Sequence, residues 1–303
     1  MSSPGEDART VRVVALQASP ARQSRQETLE QELVRTEQVL GAERPQFLTL
    51  SELATSPYFC GLDDDAWFDW AEPVPGPATE AFGRLARTYD CHIVLPLFER
   101  AGNRFFNAAA VIGPDGHPVT GRDVHGTELP AYRKIHLPTS LDELTGRPRS
   151  NEPRYFSAGD HVLSFDTAHG RVGILICWDK RFTELWRMLG LLEVDLVFNP
   201  ICTWGAWRDR TYPLELQVMA LQNQYFVAGC SKGGVEQVGE RLAFSGGAHL
   251  AAPDGALLSS VPSAPGGYAV ADLDLAEVAT ARRTTAIYPD RRPEVYDPLT
   301  KRR

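Results

Sequence analysis

Three residues far apart in the chain stand where apolar runs give way to polar sequence. Glu52 follows the run in "FLTLSELATSPYF", Lys134 sits inside "AYRKIHLP", and Cys177 closes the apolar part of "VGILICWDKR". A thiolate is a strong nucleophile, a desolvated carboxylate can take the thiol proton, and an ammonium can polarise a carbonyl oxygen. Together these types supply covalent acyl transfer without a histidine. A papain-like site would need one, and His136, His161 and His169 have no distinctive setting. Taken singly, each residue also has a plainer reading: Cys177 as a buried core thiol, Glu52 as a loop carboxylate, Lys134 as a surface cation. The residues alone leave both readings open. The basic neighbours Lys180 and Arg181, with a helix expected to begin near Phe182 or Thr183, predict a stabilised thiolate at Cys177.

The elements that would position these groups can be read from periodicity. "VRVVALQ" (11–17), "QFLTL" (46–50), "HIVLPLFER" (92–100) and "FFNAAAVIGPDG" (105–116) read as strands, the last ending in a Pro-Asp-Gly turn. Residues 27–43 predict a helix with Leu29, Leu33, Thr36 and Leu40 on one face, and 79–90 predict a second. Residues 136–160, rich in Pro, Gly and charge, read as a long loop of the kind that carries function. The alternation then resumes with strands in "RVGILI", "VDLVFNP" and "YFVAGCS" and helices in "FTELWRMLGLLE" and "TYPLELQVMALQNQ". A hairpin around "APDG", a strand in "GYAVADLDL" and an extended arm from about residue 283 complete the reading. Alternating strands and helices predict an α/β layered fold with a mixed sheet. No low-complexity linker or internal repeat divides residues 1–303, so a single domain is expected.

Composition narrows the function class. With 43% hydrophobic and 23% charged residues, this is an ordinary globular chain. Its formal net charge of -8, without a long basic run, argues against nucleic acid and anionic membranes as partners. No apolar stretch reaches membrane-spanning length, and the N-terminus has no signal-peptide core, so a cytoplasmic location is expected. Cys60, Cys91, Cys177, Cys202 and Cys230 are scattered and odd in number, which predicts reduced thiols. No ligand spacing for a metal and no Gly-rich phosphate loop is present, so neither metal nor cofactor is expected.

The stretches "VRVVALQASP", "TLSELATSPYF", "YRKIHLP", "YFSAGD", "GILICWDKRFTELWR", "LVFNP" and "AAPDGALL" resemble, in this order and over nearly the whole chain, the nitrilase or carbon–nitrogen hydrolase superfamily. The resemblance implies a four-layer αββα sandwich and a Glu-Lys-Cys triad whose roles fall on Glu52, Lys134 and Cys177. A second glutamate falls on Glu152 in "NEPRYF", and the backbone N–H of Trp178 joins Lys134 as an oxyanion donor. The local sequence looks most like the N-carbamoyl amide hydrolases, although Thr183 replaces a usual proline and Trp178 a usual Tyr or Asn. There, a basic residue just after the nucleophile binds the substrate carboxylate, which points to Lys180 and Arg181. "NPICTWGAW" (199–207) is expected at the pocket rim, with Thr203 and Trp204 either touching substrate or packing as an ordinary loop, and its indoles as possible interface residues. A homodimer or larger assembly is implied. The expected activity is hydrolysis of a small N-carbamoyl or amide substrate, with a nitrilase or aliphatic amidase, an acyltransferase and a catalytically silent scaffold as rivals.

Overall fold

The structure, a computed structural model, describes residues 10–141 and 148–301. The polar N-terminal segment 1–9, residues 142–147 of the expected loop and the last two residues of the tail lie outside the described residues. The first half runs β1 (Thr10–Leu16), α1 (Arg25–Glu43), β2 (Phe47–Leu50), α2 (Pro77–Tyr89), β3 (His92–Ala101), β4 (Arg104–Ile112), β5 (Gly121–Arg122), β6 (Glu128–Leu129) and β7 (Tyr132–Arg133). A hairpin of β8 (Thr139–Leu141) and β9 (Pro148–Asn151) and a single helical turn, α3 (Glu152–Tyr155), follow. The second half runs β10 (Ser164–Thr167), β11 (Gly170–Ile174), α4 (Thr183–Leu191), β12 (Leu196–Ile201), α5 (Trp207–Asn223), β13 (Phe226–Ser231), β14 (Val235–Val238), β15 (Glu240–Ala243), β16 (Ala248–Ala251), β17 (Leu257–Val261), β18 (Tyr268–Asp274) and α6 (Ala276–Thr284).

Two mixed sheets result, ordered β18-β1-β2-β3-β4-β7 and β17-β16-β13-β12-β11-β10-β5-β6. Strand alternation decides which residues face which layer. Val13, Ala15, Phe47, Val94, Ala109 and Val111 point into the core between the sheets, whereas Val14, Leu16, Leu48, Ile93, Ala108 and Ala110 pack with Val39, Leu40, Phe82 and Ala86 of α1 and α2. Both faces of these strands are apolar because both are covered. On the far side, α4 and α5 cover the second sheet through Trp186, Leu189, Tyr212 and Leu216. The layers are therefore helix, sheet, sheet, helix, as the αββα expectation requires.

Two local expectations are corrected and one is extended. Along α1, Leu29, Leu33, Thr36 and Leu40 share the covered face as expected, and Thr28, Glu32 and Val39 are buried with them. The polar face has work to do, since Ser19 N donates to Glu32 Oε1 (3.0 Å) and Arg22 N to Thr28 Oγ1 (3.0 Å). The segment expected as a loop over 136–160 holds the β8–β9 ladder and α3. Its strand Thr139–Leu141 is solvent-exposed, so no apolar alternation announced it. The tail is not simply extended: α6 reaches Thr284, the Tyr288 hydroxyl donates to Asn223 O (2.6 Å), and Pro293–Val295 and Asp297–Thr300 form 3-10 turns. Among the described residues, no helix is long and apolar enough to cross a membrane.

Candidate active site

β2 lies between β1 and β3, parallel to both, and delivers Glu52 just beyond its C-terminal end. Ala18 N donates to Ser51 Oγ (3.1 Å), and Ala54 N to Pro96 O (3.1 Å), which fixes the turn on both sides of Glu52. β7 pairs with β4, and Lys134 extends it by one residue, its N–H donating to Asn107 O (2.8 Å). The Asn107 side chain donates to Glu52 Oε1 (2.7 Å), so one residue of β4 positions both the carboxylate and the ammonium. The neighbouring Arg133 points the other way and is held bidentately by Glu99 at 2.8 and 2.7 Å, which leaves Lys134 free for the site. Gly159 N donates to Lys134 O (2.8 Å), and a Cβ at Gly159 would lie 2.2 Å from the Arg133 carbonyl oxygen, so this close approach requires glycine.

Lys134 is fully buried and sits between two carboxylates, 2.7 Å from Glu52 Oε1 and 2.8 Å from Glu152 Oε1. Burial alone would push its ammonium towards deprotonation, but Glu152 and Glu52 outweigh that and hold it charged. Glu152 opens α3, its N–H donating to Pro138 O (3.2 Å), while the Tyr58 hydroxyl reaches its Oε1 (3.3 Å) and Ser150 Oγ (2.7 Å). Burial pushes the Glu152 carboxyl up to about 7, with the Glu52 charge adding to the rise and Lys134 opposing it. Glu52 Oε2 and Glu152 Oε2 are buried without a hydrogen-bond partner.

Cys177 follows β11 and begins a 3-10 turn, Cys177–Arg181, that precedes α4. Among the described residues, six non-glycine residues have positive φ; Arg44, Asp90, Glu193 and Gln224 cap or follow helices, leaving Leu53 and Cys177, both beside the site. Left-handed backbone away from a helix end is a strained feature that clusters at functional positions. Asp179 anchors the turn. Its carboxylate accepts from Tyr132 Oη (2.7 Å), His136 N (2.8 Å) and Ile135 N (3.4 Å), and so ties the cysteine turn to the segment that carries Lys134. The Cys177 thiol is half-buried and is pushed up to about 12, first by burial and then by the Glu52 charge, against the opposing pull of Lys134 and Lys180. This corrects the expectation of a stabilised thiolate: the basic neighbours are outweighed, and the resting sulfur is a thiol that needs a base.

A cavity of about 520 Å³ opens over the thiol, lined by Glu152, Cys177, Trp178, Lys180, Thr203 and Trp204 among others. Thr203 and Trp204 thus stand where the rim expectation put them, Trp204 edge-on to Tyr58 with ring centroids 5.2 Å apart. Trp178 lies second in the 3-10 turn, where backbone N–H groups have no acceptor within the turn. Lys180 also lines the cavity. Arg181 does not; its guanidinium is taken by Glu215 at 2.8 Å, so it stands outside the pocket in which a substrate carboxylate was expected to meet it. Sequence reading missed Asn107, Tyr58 and Asp179. Only Asp179, two residues from the thiol in an otherwise basic run, left a local sign.

The sequence profile of the family described as Carbon-nitrogen hydrolase matches residues 12–283. Beta-ureidopropionase of Arabidopsis thaliana is 30% identical over 246 residues, covering 75% of this chain and 56% of that protein, so the chain spans little more than half its length. N-carbamoylputrescine amidase of Solanum lycopersicum is 28% identical over 280 residues, covering 88% of this chain and 87% of the relative. The crystal structure of a carbon-nitrogen hydrolase from Helicobacter pylori G27 superposes with a TM-score of 0.83 at 23% identity, covering 97% of this chain and 99% of that one.

Proposed function

The chain belongs to the carbon-nitrogen hydrolase family, and from that premise we propose that it hydrolyses the C–N bond of a small amide or N-carbamoyl compound through a thioester on Cys177. The observation that carries this reading is Lys134 Nζ clamped at 2.7 and 2.8 Å between two buried glutamates, one of which shares a cavity wall with the thiol.

The roles follow from donor and acceptor counts. Glu52 Oε2 has no partner and is available to take the Cys177 proton as sulfur attacks the carbonyl carbon. An ammonium has three donors, and Lys134 spends two on Glu52 and Glu152, leaving one for the oxyanion of the tetrahedral adduct. The Trp178 N–H is the second oxyanion donor; one such donor is worth roughly 2.7–4 kcal/mol when preorganised. Glu52 returns the proton to the leaving nitrogen, a thioester remains, and Glu52 then activates the water that hydrolyses it. Glu152 keeps Lys134 in place. For a ureido substrate, R–NH–CO–NH2 and water give R–NH2, carbon dioxide and ammonia.

The proposal includes a homodimer and a cytoplasmic location. The former is supported by the exposed Met188, Leu191, Leu214, Val218 and Leu221 on α4 and α5, the latter by five free thiols. Ammonia release from a panel of ureas, primary amides and nitriles tests the activity. Turnover of ureas or amides that disappears in Cys177→Ala is expected. Turnover of nitriles alone would replace this reading with that of a nitrilase.

A further inference from the structure

The sequence has four lysines, and they are not alike in the fold. Lys134 and Lys232 are fully buried and hydrogen-bonded to carboxylates, Lys134 to Glu52 and Glu152 at 2.7 and 2.8 Å and Lys232 to Glu236 at 2.8 Å. Lys301 is exposed beside Asp297. Lys180 is different again. Its side chain is only 2% exposed and lines the cavity with Cys177. The carboxylate oxygen that faces it, Glu215 Oε2 on α5, is 3.7 Å away, beyond hydrogen-bond distance. That oxygen is buried without a hydrogen-bond partner, and so are Nε and NH1 of Arg208, whose NH1 lies 3.9 Å from Glu215 Oε1. Arg181 takes the same carboxylate at 2.8 Å, so three cations surround one anion. Burial pushes the Lys180 ammonium towards the neutral amine, and Arg208 and Arg181 add to that push. Glu215 opposes it, as would a Cys177 charge that the resting thiol does not carry.

We infer that Lys180 is a modification site, its Nζ taking up carbon dioxide as a carbamate held by Arg208 and Glu215. The N–C bond forms from the Nζ lone pair as one C=O π pair of carbon dioxide moves onto oxygen. Nζ releases a proton to solvent, so R–NH2 and CO2 give R–NH–COO− and H+. Three unmet groups are then satisfied together. The two carbamate oxygens accept from Arg208 Nε and NH1, and the remaining Nζ–H donates to Glu215 Oε2. The Trp207 ring, 3.7 Å from the Arg208 guanidinium, sets the plane of that fork without using its donors. The charges around Glu215 also come to balance, two guanidinium cations against two anions. Lys134 is held charged between its glutamates and has no lone pair to give, and Lys232 does not line the cavity. Where the substrate is a ureido compound, hydrolysis supplies the carbon dioxide beside Lys180; that link rests on the hydrolase reading above, and the modification itself does not.

The test incubates the full-length wild type with isotopically labelled bicarbonate and dissolved carbon dioxide at mildly alkaline pH. Carbamates are trapped with triethyloxonium ion, and the lysines are mapped by mass spectrometry. Trapped label is expected on Lys180, at least about tenfold above Lys134, Lys232 and Lys301, in proportion to the neutral amine each presents. It should vanish when the protein is acidified before trapping, as a urea formed from cyanate would not. Arg208→Gln should lower the label about tenfold by removing donors to the carbamate, and Lys180→Arg should abolish it. Undiminished label in folded Arg208→Gln overturns the carbamate pocket. Absence of label on Lys180 in wild type that releases ammonia from an amide overturns the modification and leaves the hydrolase reading intact. Labelled Lys180 in protein inert towards every amide and urea supports the modification and removes that reading instead.

Discussion

Among the described residues, two lysine–glutamate clusters are fully buried, and the proposed chemistry uses only one of them. Lys232 lies 2.8 Å from Glu236 Oε1 and donates to Ser56 O (2.6 Å), and Lys134 lies 2.7 Å from Glu52. By burial and distance they are equivalent. They differ in the oxygens. Glu236 Oε1 also accepts from Ala21 N (2.8 Å), and its Oε2 accepts from Tyr58 N (2.8 Å), so both its oxygens are occupied by backbone the cluster braces. Glu52 and Glu152 each keep a buried oxygen unpartnered, beside a thiol. A buried ion pair is therefore weak evidence of function, and unspent acceptors facing a nucleophile are strong evidence. The Lys232 cluster serves the site indirectly, by holding the Ser56–Tyr58 segment whose hydroxyl reaches Glu152.

Replacing one carboxylate in each cluster should separate them. Glu52→Gln is expected to lower kcat by about ten-thousand-fold, the upper end of what a general base contributes, with the thermal midpoint little changed. Glu236→Gln strips Lys232 of its counter-charge and should cost about 3–5 kcal/mol in urea unfolding, while folded protein keeps kcat within about tenfold. Reversal of these two outcomes would exchange the roles assigned here.

The thiol offers a sharper contrast. Because the Glu52 charge helps push Cys177 up to about 12, removing it should make the sulfur more acidic even as turnover collapses. Alkylation of Cys177 by iodoacetamide near neutral pH is expected to rise in Glu52→Gln as the thiolate fraction grows. Unchanged alkylation would mean that the Glu52 charge does not reach the thiol, whereas slower alkylation would mean that the loss of Glu52 as proton acceptor outweighs the loss of its charge. For the pH profile, the Lys134 cluster takes up a proton as pH falls through about 7 at Glu152, so kcat/KM should decline on that acid limb. Glu152→Gln should shift or erase the limb.

The smallest effect concerns Glu32, whose carboxyl burial raises from 4.5 to about 7. Across that window the unfolded chain has released a proton that the folded chain keeps, so the stability from this group is greatest below 4.5 and is lost as pH rises to about 7. Urea unfolding at several pH values should show a shallower decline for Glu32→Gln than for the wild type, and parallel curves would contradict the assignment.

The α/β layering and two candidate positions were legible because they obey local rules, whereas the four-layer sandwich and the grouping of the triad came from the family resemblance. Strands covered on both faces are continuous apolar runs, and Glu52 and Cys177 stand where β2 and β11 emerge from such runs. What was not legible depends on partners distant in the chain. Asn107 meets Glu52 across 55 positions, and Lys232 meets Ser56 across 176. The β8 strand escaped notice because its exposed side chains follow no apolar pattern. Glu152 needed the family resemblance, since nothing in "NEPRYF" marks that carboxylate as buried.

The central claim is that the Cys177 sulfur carries the acyl group. Intact-protein mass spectrometry after brief mixing with a small amide or N-carbamoyl compound, followed by peptide mapping, tests it directly. The account predicts a mass increment equal to the acyl fragment, located on Cys177, that decays as ammonia release completes and is absent in Cys177→Ala. Undiminished ammonia release by Cys177→Ala, or an increment mapped to another residue, would contradict it.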